Sequence, residues 1–251
     1  MISERDIMGG LAKGLAVIET FTPDRPRQSI SAVAEASGLD RATARRCLLT
    51  LAHHGYADWD GKFFTLTPRV LRLGTACLAT MPLPQIVQPF LDALSDEIGQ
   101  SSSVSILDGA EIVYIARAAQ KKVMSVALMP GSRLPAYCTS MGRVMLAARP
   151  EPDQRALLGD APLPARTPHT LTDPAAILAE LARVRAQGHA LIDQEVELGL
   201  RSIAVPVVDA RGHTVAALNL GVSTAVPLED MTIRLLPALQ QVQARLRAIL
   251  R

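Results

Sequence analysis

Residues 29–55 read SISAVAEASGLDRATARRCLLTLAHHG. Two short runs with apolar residues at helical spacing flank Ser37-Gly38-Leu39. Ser31 stands where a helix N-cap is wanted, with Val33, Ala34 and Ser37 along the run it opens; Glu35 lies one residue past the capping-box position. Gly38 suits the left-handed residue that ends a helix. Asp40 caps the second run, and Leu39 before it can serve as a hydrophobic staple. At 100° per residue, Ala44, Cys47, Leu48 and Leu51 fall within about 100° of one another, enough for a core stripe. Ala42, Arg46 and His53 lie opposite, Thr43 and Arg45 on the flanks, and Arg41 nearer the core edge. This is the pattern of a helix-turn-helix, whose second helix offers its N-terminal half to the base edges of the DNA major groove.

The flanking sequence extends that reading. Upstream, residues 10–21 predict a helix with Leu11, Leu15, Ile18 and Ala12 on one stripe, followed by a Pro/Arg-rich break over 22–28. Downstream, Asp60-Gly61 joins two β-prone runs as a hairpin, which makes a wing. Thr67-Pro68 opens a further helix to about residue 80, with Pro in its first turn. Met81-Pro-Leu-Pro84 breaks it and marks a domain boundary. The divisions are 1–67 for a winged helix-turn-helix, 68–82 for a linker helix and 83–251 for a second domain.

That second domain is α+β in pattern. A helix is expected over 86–98, a hairpin over 102–107 and 111–116 through Asp108-Gly109, and a third strand over 123–128. Helices follow at 143–148 and 173–187, strands at 203–208 and 214–222, and a closing helix at 231–250. Hairpins with scattered helices imply a mainly antiparallel sheet flanked by helices.

Bulk properties set limits. At 49% hydrophobic and 20% charged residues, a packed core is affordable and disorder is not expected. The net charge is only +2; the first eighty residues hold 10 basic and 8 acidic side chains, the remainder 16 of each. Global charge therefore does not argue for nucleic acid, and local placement must concentrate it. Cys47, Cys77 and Cys138 are far apart, with no Cys/His ligand spacing, so no metal is expected and a reducing cytoplasm fits. No basic-then-apolar leader and no apolar run near eighteen residues is present, so the expectation is a soluble, cytoplasmic chain without membrane contact. No nucleophile elbow, phosphate loop or dinucleotide fingerprint occurs, and no cofactor is expected.

The candidate DNA contacts are Arg41, Ala42, Thr43, Arg45 and Arg46 on the second helix and Lys62 at the wing tip. Arginine can donate two hydrogen bonds to guanine, and threonine can touch a base or a thymine methyl. Others of this set contact only phosphate, which positions without reading sequence. An isolated helix with these arginines would be a solvated face; the capped turn before it and the wing behind it favour DNA. Trp59 and Phe63 read as wing-packing residues.

The chain resembles an IclR-type transcriptional regulator, and more narrowly the subgroup that governs aromatic-acid (β-ketoadipate pathway) catabolism. The resemblance rests on GLAVIETF from Gly14, LDRATARRCLLTLAHHGY from Leu39, FTLTPRVLRLG from Phe64, GSRLPAYCTSMGRVMLA from Gly131, IDQEVELGLRSIAVPV from Ile192 and AALNLGV from Ala216. It implies a GAF-like effector-binding second domain, a homodimer or tetramer, a palindromic double-stranded DNA operator, and a small organic acid as effector, with protocatechuate, 4-hydroxybenzoate and β-ketoadipate all open within this subgroup.

By the same resemblance, Ser140 and Met141 offer backbone amides to the acid, with Thr139 nearby and Tyr137 and Cys138 at the pocket edge. Asp193, Glu195, Arg201 and Ser202 form a second wall, and Asn219 faces inward from a strand. Small polar residues before a helix suit a carboxylate in any case. Two structural readings stand beside these: Ser140 caps a helix beginning near Gly142, and Arg201 bridges to Glu195 or Glu197. Asp193 and Glu195 with Thr139 and Ser140 keep a carboxylate-processing enzyme as the alternative, although no histidine joins them in a matching motif.

Overall fold

The computed structural model describes residues 3–120 and 128–250. Its contacts divide the chain into two compact units, Met1–Thr80 and Met81–Arg251.

In the first unit, α1 (Gly9–Glu19), α2 (Ile30–Ser37) and α3 (Arg41–His53) meet around Val17, Val33, Ala44 and Leu48. Three short strands, β1 (Arg27–Ser29), β2 (Ala57–Trp59) and β3 (Phe63–Leu66), form an antiparallel sheet in the order β1-β3-β2. Phe64 and Ala57 carry this sheet into the helical core. The cap of α2 is Ser29 rather than Ser31: its hydroxyl accepts from Ala32 N at 3.3 Å. Ser29 ends β1 and is already extended, so the chain enters the helix straight from the strand. The stripe expected on α1 also divides. Val17 is buried and Ile18 half-buried, whereas Leu11 and Leu15 stay exposed. A 3-10 turn, Pro68–Val70, leads into α4 (Leu71–Thr80), on which Leu71 and Leu73 are exposed.

The second unit is built on six antiparallel strands in the order β6-β5-β4-β9-β8-β7. They are β4 (Ser101–Asp108), β5 (Glu111–Ala118), β6 (Arg133–Pro135), β7 (Ala190–Asp193), β8 (Leu200–Val208) and β9 (Thr214–Ser223). The strand expected over 123–128 falls, apart from Leu128, outside the described residues. One sheet face packs on α5 (Pro82–Ile98) and on the closing helix, Leu236–Ile249, through Leu91, Leu94, Ile203, Leu218 and Leu246. Proline at the start of α5 occupies the first turn, where no hydrogen bond is lost, so the helix begins four residues before its expected start. The other face carries α6 (Ser140–Ala147), with α7 (Glu151–Leu158) and α8 (Pro174–Gln187) outside it. Asp173 caps α8 and Gly188 ends it in the left-handed region, as Asp-Pro and a following glycine imply. No single described helix is long and apolar enough to cross a membrane.

One glycine is set by close approach. A Cβ on Gly142 would lie 2.2 Å from the Ala136 carbonyl oxygen, so α6 can start against the 3-10 turn Ala136–Cys138 only with glycine there. Gly142→Ala is expected to cost about 3 kcal/mol, the upper end for overpacking, because backbone and not a flexible side chain must yield. A thermal or urea denaturation curve checks it; an unchanged midpoint would contradict the contact.

Candidate functional sites

The exposed face of α3 is prepared by its cap. Asp40 Oδ1 accepts from Thr43 N at 2.9 Å, and hydrogen bonds from Thr43 hold its carboxyl below the ordinary range. Arg41, Ala42, Arg45 and Arg46 are exposed; Thr43 is half-buried and occupied with the cap. The three arginines enter no ion pair among the described residues, so the helix presents uncompensated positive charge. At the wing, Asp60 Oδ1 accepts from Lys62 N and Phe63 N at 2.9 and 2.8 Å, which closes the turn. Lys62 lies over the Phe63 ring at 5.2 Å from its centroid. Trp59 stacks on Phe64, a packing role.

Arg27 joins this tip, which its place in the sequence does not indicate. It lies over Phe63 at 4.3 Å from the centroid and pairs with Asp60, whose carboxyl it holds far below the ordinary range. The Pro/Arg-rich stretch reads as a connector, yet β1 pairs Arg27 with Thr65 of β3 and brings the arginine to the hairpin. Only a cross-strand register could have shown this.

In the second unit, a cleft opens between the sheet and the start of α6. Of the residues named in advance, Thr139, Ser140, Met141, Ser202 and Asn219 line it, joined by Ser101, Tyr114, Arg117, Leu134, Val196, Leu200 and Gly221. Thr139 is the cap of α6: its hydroxyl accepts from Gly142 N at 3.1 Å. Ser140 is therefore not the cap. It is 1% exposed and its hydroxyl has no hydrogen-bond partner among the described residues. With Gly142 N taken by the cap, the first-turn N–H groups of Ser140 and Met141 have no acceptor among the described hydrogen bonds, the usual condition of an anion-receptive helix start. Met141 packs on Ser105, whose hydroxyl contacts its sulfur at 3.2 Å.

The floor is a polar patch on the face of the sheet toward α6. Ser103 of β4 pairs with Asn219 of β9 on one side and Arg117 of β5 on the other. Arg117 Nη1 donates to Ser103 Oγ at 2.8 Å. Tyr114 is 4% exposed, and burial raises its phenol to about 12, so it stays a neutral O–H donor. Tyr114 and Arg117, three residues apart, would face opposite ways on a regular strand. The register shifts between Val104 and Ser105 and leaves Ile115 without a partner, which brings both to the cleft.

Five of the named residues are not brought to the cleft. Cys138 is fully buried in the core under α6, and burial raises its thiol to about 11, which keeps it inert. The Tyr137 hydroxyl donates to the Pro164 carbonyl on the opposite side of that turn. Asp193 and Arg201 face each other across β7 and β8 and pair at 2.8 Å. Arg201 also donates to the Thr224 and Val226 carbonyls, tying down the chain after β9; its partner is Asp193, neither Glu195 nor Glu197. Glu195 accepts from the buried Arg143 at 2.7 Å and from Leu171 N at 3.0 Å. Alternation along β8 explains the split: Ser202 faces the cleft while Arg201 faces away.

Comparison with known proteins gives two family matches that together span most of the chain. Residues 10–61 match the IclR helix-turn-helix domain, and residues 75–247 match the C-terminal domain of bacterial IclR transcriptional regulators. The Pca regulon regulatory protein of Pseudomonas putida is 46% identical over 236 residues, 93% of this chain and 81% of the relative. The p-hydroxybenzoate hydroxylase transcriptional activator of Acinetobacter baylyi is 38% identical over 98% of this chain and 93% of its own. The crystal structure of an IclR homologue from Microbacterium hydrocarbonoxydans complexed with 4-hydroxybenzoate superposes with a TM-score of 0.74 at 25% identity, covering 96% of this chain and 98% of that one.

The Arg143–Glu195 pair separates support from ligand contact. Arg143 is 3% exposed, with Glu195 at 2.7 Å and Glu180 at 4.0 Å. Glu195→Gln removes the nearer charge and is expected to cost about 3 kcal/mol of stability. The affinity of the folded variant for organic acids is expected to stay within twofold of the parent. A melting curve and a calorimetric titration check the two halves; lost affinity at unchanged stability would return Glu195 to the binding site.

Proposed function

The chain belongs to the IclR family of bacterial transcriptional regulators, and we propose that it controls an operon for aromatic-acid or related carboxylic-acid catabolism. Residues 1–67 read the operator, 68–82 link, and 83–251 sense the acid. The observation that carries the effector reading is Ser140: a buried hydroxyl without a partner among the described residues, at a helix start where the Ser140 and Met141 N–H groups likewise have none, on the wall of a cleft. A carboxylate accepts from these donors. Leu134, Met141, Val196 and Leu200 supply apolar walls for a ring or an aliphatic spacer. The named relatives, regulators of the Pca regulon and of p-hydroxybenzoate hydroxylase, support this chemical class.

The exposed Leu11 and Leu15 on α1 and Leu71 and Leu73 on α4 support association through the first unit. A homodimer would present two α3 helices to a palindromic operator with half-sites spaced by whole helical turns. The acid acts by binding one arrangement of the pair more tightly than another, without which it could shift nothing.

Two measurements test the proposal. In calorimetry with protocatechuate, 4-hydroxybenzoate and β-ketoadipate, at least one acid is expected to bind, and Ser140→Ala is expected to weaken it about three- to tenfold, the worth of one hydrogen bond. In fluorescence anisotropy on the promoter beside its own gene, Arg45→Ala and Arg46→Ala are each expected to weaken binding. Loss of a guanine contact costs about 1–3 kcal/mol and relaxes one base position, whereas loss of a phosphate contact weakens all sequences alike and flattens the salt slope. Absence of salt-sensitive, sequence-specific binding with or without acid would refute the regulator reading for this DNA face.

A further inference from the structure

The cleft holds a charged side chain, Arg117, besides the donors at the start of α6. Arg117 stands on the floor, half-buried, and its only hydrogen bond from the guanidinium among the described residues goes to the neutral hydroxyl of Ser103. It enters no ion pair among the described residues. The described lining includes serines, a threonine, an asparagine and a tyrosine but no acidic side chain. Tyr114 beside it stays protonated and offers no negative charge. Burial lowers the guanidinium's pKa below its ordinary value, yet arginine remains charged at neutral pH.

A guanidinium is costly to withdraw from water unless it is paired, and its planar fork matches a carboxylate with two parallel hydrogen bonds. The other charged side chains near this wall are already satisfied, Arg143 by Glu195 and Arg201 by Asp193. Arg117 is the cation in the cleft whose counter-ion the described protein does not supply. Ser103 holds it from β4, and the break in register at Ile115 aims it at the same space as Ser140.

We propose that Arg117 is a specificity-determining residue that recognises a second carboxylate on the effector, so that the cleft selects dicarboxylic acids over matched monocarboxylic acids. This rests on the reading of the cleft as an acid site. One carboxylate takes the start of α6 with Ser140, the second takes Arg117, and the apolar walls hold the spacer between them. An effector with a single carboxylate fills one end and leaves the guanidinium as it is in the free protein.

The test uses the full chain and two matched pairs, adipate with hexanoate and terephthalate with benzoate, in calorimetric titrations. The dicarboxylate of at least one pair is expected to bind about ten- to hundredfold more tightly, the range for a hydrogen-bonded charge pair. Arg117→Met is expected to bring that dicarboxylate down to the affinity of its partner while leaving the monocarboxylate within twofold. Arg117→Lys, which keeps the charge, is expected to retain part of the preference, and a melting curve of each variant reports whether the fold is intact. Equal affinities within both pairs for the parent protein would overturn the assignment. So would an Arg117→Met variant that weakens both members of a pair alike. Monocarboxylate binding that depends on Ser140 but shows no gain from a second carboxylate removes only the role of Arg117. Absence of binding by all four acids refutes the acid site itself together with this inference.

Discussion

The contact between Gly142 and the Ala136 backbone decides where α6 begins, and the chemistry of the cleft follows from that position. Without a side chain at 142 the helix can close against the preceding 3-10 turn. Thr139 then falls at the cap, and its hydroxyl takes the Gly142 N–H. Ser140 becomes the first helical residue instead of the cap, so its hydroxyl and the Ser140 and Met141 N–H groups are left without partners among the described residues. A helix begun at Gly142 would have spent Ser140 on capping. The same eight residues are wholly buried, which keeps these donors out of bulk water, where a carboxylate would gain little from them.

The sheet below works by alternation. Along β4, Ser102 points to the α5 side and bonds the Leu91 carbonyl and Ser95, while Ser103 and Ser105 point to α6 and the cleft. Along β9, Leu218 and Leu220 belong to the core against α5, whereas Asn219 and Gly221 line the cleft. One face can therefore be mostly apolar and supply stability, its buried Ser95 and Ser102 paired with each other, while the other carries a polar floor toward the cleft. In the first unit the division is similar in kind: Ala44 and Leu48 hold α3 to its neighbours, and the arginines between them are left to solvent.

Much of this was legible in the residues alone where the signal is local. Asp40, Gly38, Asp60-Gly61 and Asp173-Pro174 each specify a cap or turn through their own chemistry, and each appears at its expected place. The readings that needed adjustment depend on pairing over distance. β1 is three residues long and follows a proline, so nothing in it marks a strand until Arg27–Ser29 meets β3. Ser29 caps α2 because that strand delivers it already extended. Asp193 and Arg201 are partners because β7 and β8 align them, not because of their spacing. Arg117 is not legible as a cleft residue because a two-residue alternation through β5 places it opposite Tyr114, and the register break that reverses this leaves no mark in the sequence. Leu11 and Leu15 fit a helical stripe, but periodicity alone cannot tell a face that packs within one chain from a face left exposed.

On the proposal made above, the start of α6 is where the effector acid is held. Backbone amide resonances, followed by NMR while a bound aromatic or dicarboxylic acid is titrated in, address it most directly. Ser140 and Met141 are expected to show the largest saturable shifts, with smaller ones at the cleft floor around Ser103 and Asn219, and none centred on Asp193 and Arg201. Saturable shifts centred on Asp193, Arg201 or Tyr137, with Ser140 and Met141 unmoved, would contradict it.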